Sequence, residues 1–374
     1  MEGRRSVLDP IALGSERLQN RLGLGPINPG FARIGTERRA AVLDFYRCYA
    51  EGRLGLAYVG GVATSRNGRA NNKSLVMTDT GTQKLLIQVV DIMESSGTRV
   101  AVQLMHAGRQ ASSVEIGHKL VAASAIACAY YQELPGAAST EDIRRIVKEF
   151  TASARAAAAA DCKIVEVHAA HGYLLSGFLS CSSNKRTDKY GGSVANRFRL
   201  LREVAETIKN HLDVALGVRI NVYERERDGL TLDEAVDGLS GMARWIDFVS
   251  VSAGIYTTEN DLIIPRRAIG VAPWRSHARM IQRQLGLPVL IAGNIESVDL
   301  ADDIVATEDA DVVLMVRSLL ADSQMLTKWL AGHPEQTQEC TELYLCKYHS
   351  RKATHVYCPH NPVLRRSLRP SVER

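Results

Sequence analysis

The 374-residue sequence has no run of about 18 apolar residues, the length an ordinary membrane-spanning helix needs. Its opening, Met1–Gly14, carries two arginines but no apolar stretch of signal-peptide length, so a cytoplasmic protein with no membrane partner is expected. Cysteine is sparse, odd in number and scattered. Seven such residues do not make a disulfide framework, and Cys48, Cys128, Cys162 and Cys181 read as isolated thiols of a reducing compartment. An excess of one charge is also lacking. A net charge of +5 is modest for this length and gives no case for a nucleic-acid partner, and the basic tail from Lys347 to Arg374 reads as a solvated terminus. There is no low-complexity linker and no Gly-rich phosphate fingerprint behind the first strand, which counts against a doubly wound dinucleotide fold.

What is present is a regular alternation. With 45% hydrophobic and 23% charged residues the chain reads as globular. Short β-rich runs, several apolar on both faces, predict strands at Leu22–Pro26, Leu56–Val62, Val100–Met105, Ile164–His168, Leu216–Ile220, Phe248–Ser252, Val289–Ala292 and Val312–Met315. Helices are predicted between them at Thr36–Glu51, Thr82–Ser95, Thr140–Ala160, Val194–Leu212, Leu232–Trp245, Ser276–Leu285 and Ser297–Ala306, and Ser139-Thr140-Glu141-Asp142 has the form of a capped start. Eight strand–helix units in series is the pattern of an α/β fold of the (β/α)8 TIM barrel type. The chain exceeds a minimal barrel of about 250 residues. The excess is assigned to the loop Gln110–Gly136 and to the tail, giving a barrel over residues 1–333 and a short C-terminal extension over 334–374.

In such a barrel the functional residues sit at the C-terminal ends of the strands. Those positions hold Pro26-Ile27-Asn28, Gly60-Gly61, Gln103 with His106 and Gly108-Arg109, His168 with His171 and Tyr173, Arg219, Gly293-Asn294, and Arg317. The set is rich in amides, glycines, histidines and arginines and short of acids. It suits a large, polar, anionic ligand better than a divalent metal, which wants carboxylates. Gly293 and Arg317, each near a helix start, match the common phosphate site of these barrels. Each residue alone has an ordinary reading: a strand-end histidine that only packs, an arginine paired with a nearby acid, a glycine that only turns the chain. The joint pattern carries the argument, and the segment His168–Arg197 concentrates it.

Five stretches resemble the old yellow enzyme family, and within it the branch containing the barrels of bacterial 2,4-dienoyl-CoA reductase and trimethylamine dehydrogenase. They are Asn20–Asn28 (NRLGLGPIN), Val100–Gln110 (VAVQLMHAGRQ), Val165–Ser180 (VEVHAAHGYLLSGFLS), Asn184–Arg197 (NKRTDKYGGSVANR) and Ala310–Asp322 (ADVVLMVRSLLAD). The resemblance runs from about Leu18 to His333. It implies an FMN site. Pro26, Ile27 and Asn28 would line the flavin, Gly61 would let the backbone approach the ring, and Gln103 would bond the pyrimidine edge. Arg219 would stabilise the negative charge of reduced flavin, and Gly293, Asn294, Val316 and Arg317 would hold the phosphate. His168 and His171 would polarise a substrate carbonyl, with hydride passing from flavin N5 to the β-carbon of a conjugated C=C bond and Tyr173 protonating the α-carbon. Asn184–Arg197 would be scaffold. The implied activity is an FMN-dependent ene-reductase fed by NADH or NADPH, acting on an enone or enoyl thioester, and a homo-oligomer is expected. The alternatives are amine oxidation or demethylation on the same barrel, or a flavin-binding or flavin-free subunit of a larger redox complex. A metal-dependent barrel hydrolase or lyase ranks last for want of nearby acids.

The sequence departs from that pattern in four places. Val316 stands where Gly is usual after the eighth strand, and Val forbids conformations that Gly allows. Ser180-Cys181 replaces a usual Ser-Pro, and Asn28-Pro29 stands where relatives often carry Cys, Thr or Met. Iron–sulfur members carry C-x2-C-x3-C-x11-C behind the barrel. Here only Cys346-x11-Cys358 keeps register, the first two ligand positions being Glu339 and Glu342 with Cys340 one step out. Three thiolates leave a [4Fe-4S] cluster a ligand short, so Cys340, Cys346 and Cys358 read as a relic without metal. A zinc site from Cys346, His349, Cys358 and His360 has an atypical spacing. The sequence ends at Arg374 without the flavin and nucleotide domains that larger relatives append, so electrons are expected directly from NAD(P)H or from a redox partner protein.

Overall fold

The computed structural model describes residues 4–27, 36–256, 262–342, 346, 356–362 and 364. Its centre is a closed barrel of eight strands, all neighbours parallel and in chain order: Leu22–Leu24, Leu56–Ala63, Arg99–Met105, Ile164–Ala169, Ala215–Asn221, Phe248–Ser252, Val289–Ala292 and Val312–Met315. They are called the first to eighth strands below. All eight were legible because a strand covered on both faces reads as a short apolar run, and none has an exposed position, with at most one half-buried residue in each. Helices Thr36–Ala50, Thr80–Glu94, Thr140–Ala159, Arg199–His211, Leu232–Ser240, Arg275–Leu285 and Val298–Ala306 form the outer layer. Among the described residues no helix is long and apolar enough to cross a membrane.

The expected cap is present: Ser139 Oγ accepts from the Asp142 N–H while the Asp142 carboxylate accepts from the Ser139 N–H. Two predicted helices are shorter than read. Val194–Leu212 is divided at Phe198 into Val194–Arg197 and Arg199–His211, and Leu232–Trp245 ends at Ser240 before a 3-10 turn at Ala243–Trp245. One contact joins the two breaks. The Phe198 ring lies flat on Gly238, where a Cβ would come within 2.4 Å of it.

The N-terminal end of the barrel is closed by a hairpin, Ile11–Leu13 with Glu16–Leu18, that the sequence reading did not find. Its Leu13 and Leu18 join Leu56, Ile164, Phe248 and Leu290 in a fully buried plug inside the barrel. The plug fills that end of the barrel, and the large cavity lies at the opposite mouth. The extra length goes where it was expected and to one place more. The loop after the third strand carries the short helix Ser113–Ile116 and a two-residue strand pair, and a further insertion after the fourth strand contains the helix Leu174–Leu179. Arg186 ties the two insertions together by donating to the carbonyls of Ala123 and Ala138. Arg197, buried, bonds the Leu179 carbonyl and pairs with Glu234 at 2.5 Å. The Asn184–Arg197 segment is thus built as scaffold.

Candidate active site

The C-terminal mouth of the barrel opens on a cavity of about 640 Å³. Every cofactor position read from the sequence lines it except Asn28, which lies outside the described residues. Pro26, Ile27 and Gly61 form one wall, Gln103 and Arg219 the floor, and Gly293, Asn294, Val316 and Arg317 the far end, while His168, His171 and Tyr173 stand together opposite. Cys340 and Cys346 also reach the cavity, and Cys358 is buried behind it.

The imidazole pair is held by a strained turn. His171 has φ +63, rare for a residue with a side chain, and Gly172 follows at φ +75. The His171 N–H donates to Asn221 Oδ1 at 3.2 Å, Gln110 Nε2 donates to the His171 carbonyl at 3.3 Å, and His171 Nε2 lies 2.7 Å from Ser252 Oγ. This reversal brings Tyr173 back over the fourth strand, so that the His168 ring stands 4.9 Å from both the His171 and the Tyr173 rings. The Ala170 N–H donates to His168 Nδ1 at 3.2 Å, which leaves the His168 proton on Nε2. Burial above all holds both imidazoles well below their ordinary value, followed by the His171 ring and then the Arg219 cation at His168, and by Arg219 at His171. Both are neutral donors at physiological pH. The Tyr173 hydroxyl is 2.9 Å from that of Tyr256, which comes from the turn after the sixth strand.

Arg219 is the cation of the floor. It is buried, donates from Nη2 to Ser252 Oγ at 3.4 Å, and leaves Nε and Nη1 without a hydrogen-bond partner. Two orphaned guanidinium donors in a barrel interior are costly unless an electron-rich ligand edge meets them. Gly61, at φ +66, brings backbone to the cavity wall without a side chain. At the far end Arg317 donates to the Pro265 carbonyl and Asn294 Oδ1 at 2.6 and 2.9 Å, and to Glu342 at 2.8 Å. Val316 takes φ −127, so the replacement of Gly there meets no left-handed demand. These features fit a flat heterocycle with hydrogen-bond acceptors along one edge and an anionic phosphate tail, which is the shape and charge of FMN.

Three residues bonded to this set escaped the sequence reading: Ser252 to His171, Glu166 to Gln103 and Glu342 to Arg317. Ser252 ends the sixth strand, so the strand-end rule that found the others would have found it. Glu166 faces inward two residues before His168, and an acid inside the run Val165–Val167 was the available signal. Glu342 was noticed only as a lost cysteine, and its contact with Arg317 spans 25 residues that periodicity does not register. Among the described residues no three His, Cys, Asp or Glu side chains are grouped to hold a metal ion.

Comparison with known proteins follows the same lines. Residues 6–336 match the NADH:flavin oxidoreductase / NADH oxidase family. A metal reductase of Desulforamulus reducens is 31% identical over 89% of this chain, which spans 50% of that protein's length. An NADPH dehydrogenase of Bacillus licheniformis is 31% identical over 85% of this chain and 92% of its own length. The solved structure of 2-naphthoyl-CoA reductase with 2-naphthoyl-CoA superimposes with a TM-score of 0.89 at 24% identity, covering 97% of this chain and 58% of that one.

Proposed function

This chain belongs to the NADH:flavin oxidoreductase / NADH oxidase family of FMN-dependent NAD(P)H oxidoreductases, the old yellow enzyme type, and we propose that it reduces an activated C=C bond, that of an enone or enoyl thioester. The observation that carries the reading is the convergence, on one cavity, of two neutral imidazoles, a phenol and an orphaned buried guanidinium. FMN, when bound, supplies the chemistry of accepting a hydride from NADH or NADPH and passing it to the substrate carbon.

The protein's share is positioning, charge and proton supply. Pro26, Ile27 and Gly61 would flank the ring, Gln103 and Arg219 would meet its polar edge, and Gly293, Asn294, Val316 and Arg317 would hold the phosphate. Arg219 puts fixed positive charge where reduction adds negative charge. Arg219 also turns the Ser252 hydroxyl proton toward His171 Nε2, leaving His171 Nδ1–H and His168 Nε2–H as donors to one carbonyl oxygen. Tyr173 delivers the proton to the α-carbon, and Tyr256, within hydrogen-bond distance, is its neighbour for reprotonation.

The same proposal takes residues 1–333 as the catalytic barrel and 334–374 as an extension without a cluster. Val356, Cys358 and Leu364 are buried in the main core, and Glu342 is committed to Arg317. Seven free cysteines support a reducing, cytoplasmic setting.

The test is direct. Purified protein is expected to be yellow and to release FMN on denaturation, to bleach with NADH or NADPH under anaerobic conditions, and to recolour with an enone or enoyl thioester. Tyr173→Phe should slow recolouring by roughly a hundredfold, the usual weight of one general acid, while bleaching keeps its rate. Equal slowing of both half-reactions removes Tyr173 as the proton donor. Bleaching by a methylated amine instead of NAD(P)H would favour the amine-oxidising alternative, and bleaching only by a reduced carrier protein would make a redox partner the electron source.

A further inference from the structure

One carboxylate sits inside the barrel, just beneath the cavity floor. Glu166 is fully buried. Its three described partners are neutral donors: Gln103 Nε2 at 2.6 Å on Oε1, and Tyr58 Oη at 2.8 Å with Ser250 Oγ on Oε2. Register makes this local arrangement firm. Gln103 lies directly opposite Glu166 across the third and fourth strands, and His168, two residues on, lies opposite Arg219. Of the four residues in the cluster only Gln103 lines the cavity. Burying a carboxylate is among the most expensive choices a core can make, and a neutral amide could serve Tyr58 and Ser250 equally well. The charge therefore needs a reason.

A carboxylate can only accept hydrogen bonds, whereas an amide can face a neighbour with either end. With Glu166 below it, Gln103 must point its NH2 group down, and its Oε1 is turned toward the cavity. That offers an acceptor at the floor beside the Arg219 donors, a donor–acceptor pair that matches the imide edge of a flavin, where an N–H lies beside a carbonyl. Burial and then the Glu166 charge hold the Tyr58 phenol well above its ordinary value, with Arg219 acting in the opposite sense, so both charges are felt within the same barrel layer. An anion there offsets part of the field that Arg219 sets up.

We propose that Glu166 is a positioning residue: it fixes the Gln103 amide so that Oε1 accepts the imide N–H of the flavin, and its charge lowers the reduction potential that Arg219 alone would impose. This rests on the FMN reading above. It is tested on protein stripped of flavin, titrated with FMN by fluorescence quenching, and reconstituted for potentiometry. Glu166→Gln is expected to weaken FMN binding roughly fivefold to tenfold, the scale of one hydrogen bond, and to shift the midpoint potential in the positive direction. Gln103→Ala is expected to cost about as much affinity, and Glu166→Gln added to it to cost little more. Wild-type protein that binds no FMN would sink the flavin reading itself. FMN binding in Glu166→Gln with unchanged affinity and potential, or a full additional loss in the Gln103→Ala background, would overturn the role of Glu166 alone. A wild-type measurement stands if Glu166→Gln does not fold. The side-chain amide protons of Gln103, observed by NMR, should be protected from exchange in the flavin-free protein and stay protected when FMN binds. Unprotected protons, or protection lost as FMN binds, contradict the proposal.

Discussion

Among the described residues three histidines are buried, His106, His168 and His171, and none of them is paired with an acid. His106 accepts the Gly108 N–H on Nδ1 at 3.1 Å and is pushed down to about 4, chiefly by burial. His168 and His171 are also held well below the ordinary value, by burial first, then by His171 and Arg219 at His168 and by Arg219 at His171. In the unfolded chain all three titrate near the ordinary value of about 6.5. As pH falls through that value the unfolded state takes up protons that the folded state refuses, so the stability these groups contribute is complete above about 6.5 and is lost below it. The expected outcome is a melting temperature that is flat from pH 7 to 8 and falls steadily between about 6.5 and 4, with a slope of order 1.4 kcal/mol per pH unit for each histidine. Replacing His106 with Asn, away from the cavity, should flatten the slope, and thermal melts in a pH series check it. An unaltered slope would assign acid sensitivity to other groups. The histidines were legible as strand-end residues. Their neutrality was not, because it depends first on burial that only the closed barrel supplies, and at His168 and His171 also on Arg219 arriving from another strand.

At the scale of elements the sequence spoke clearly wherever an element is defined by its own pattern. The eight strands were readable from apolar runs and the start of Thr140–Ala159 from its cap residues. Ser139→Ala should therefore cost about 1 kcal/mol, as the loss of a capping side chain does elsewhere, with no change in the cavity. The sequence was silent where an element is defined by what it packs against. Ile11–Leu13 and Glu16–Leu18 are too short to show alternation, and only their burial inside the barrel makes them a plug. The helix read over Leu232–Trp245 kept its amphipathic period past the point where Gly241 ends it. The seat of Phe198 on Gly238 gives the stricter test. A methyl group placed there would come within 2.4 Å of the ring, so Gly238→Ala is expected to destabilise by about 1–3 kcal/mol despite Ala being the better helix former. Chemical denaturation distinguishes this from a gain of a few tenths, which would mean that the ring can step aside.

For the whole molecule, the decisive long-range contact is the one that brings the tail back to the mouth of the barrel. Val356 and Cys358 pack into the main core, Asn361 Nδ2 donates to the Leu320 carbonyl at 3.1 Å, and Glu342 reaches Arg317 at 2.8 Å. The segment that resembles a degraded cluster motif thus places a carboxylate where the phosphate of FMN is proposed to bind. Glu342 takes an uncommon backbone, φ +54, and its Oε1 also accepts from the Arg267 N–H at 3.3 Å, so it is held there from two sides. A phosphate carries close to two negative charges and binds guanidinium at least as well as a carboxylate does. It must therefore either share Arg317 with Glu342 against like-charge repulsion or displace it. In both cases Glu342→Gln should tighten FMN binding, by roughly fivefold if one half-buried charge contact is at stake. Riboflavin, which lacks the phosphate, should bind the variant and the parent alike. Parallel fluorescence titrations with the two flavins decide the matter. A gain for both would place the effect of Glu342 on the shape of the cavity, and a gain for neither would remove the carboxylate from the phosphate end altogether.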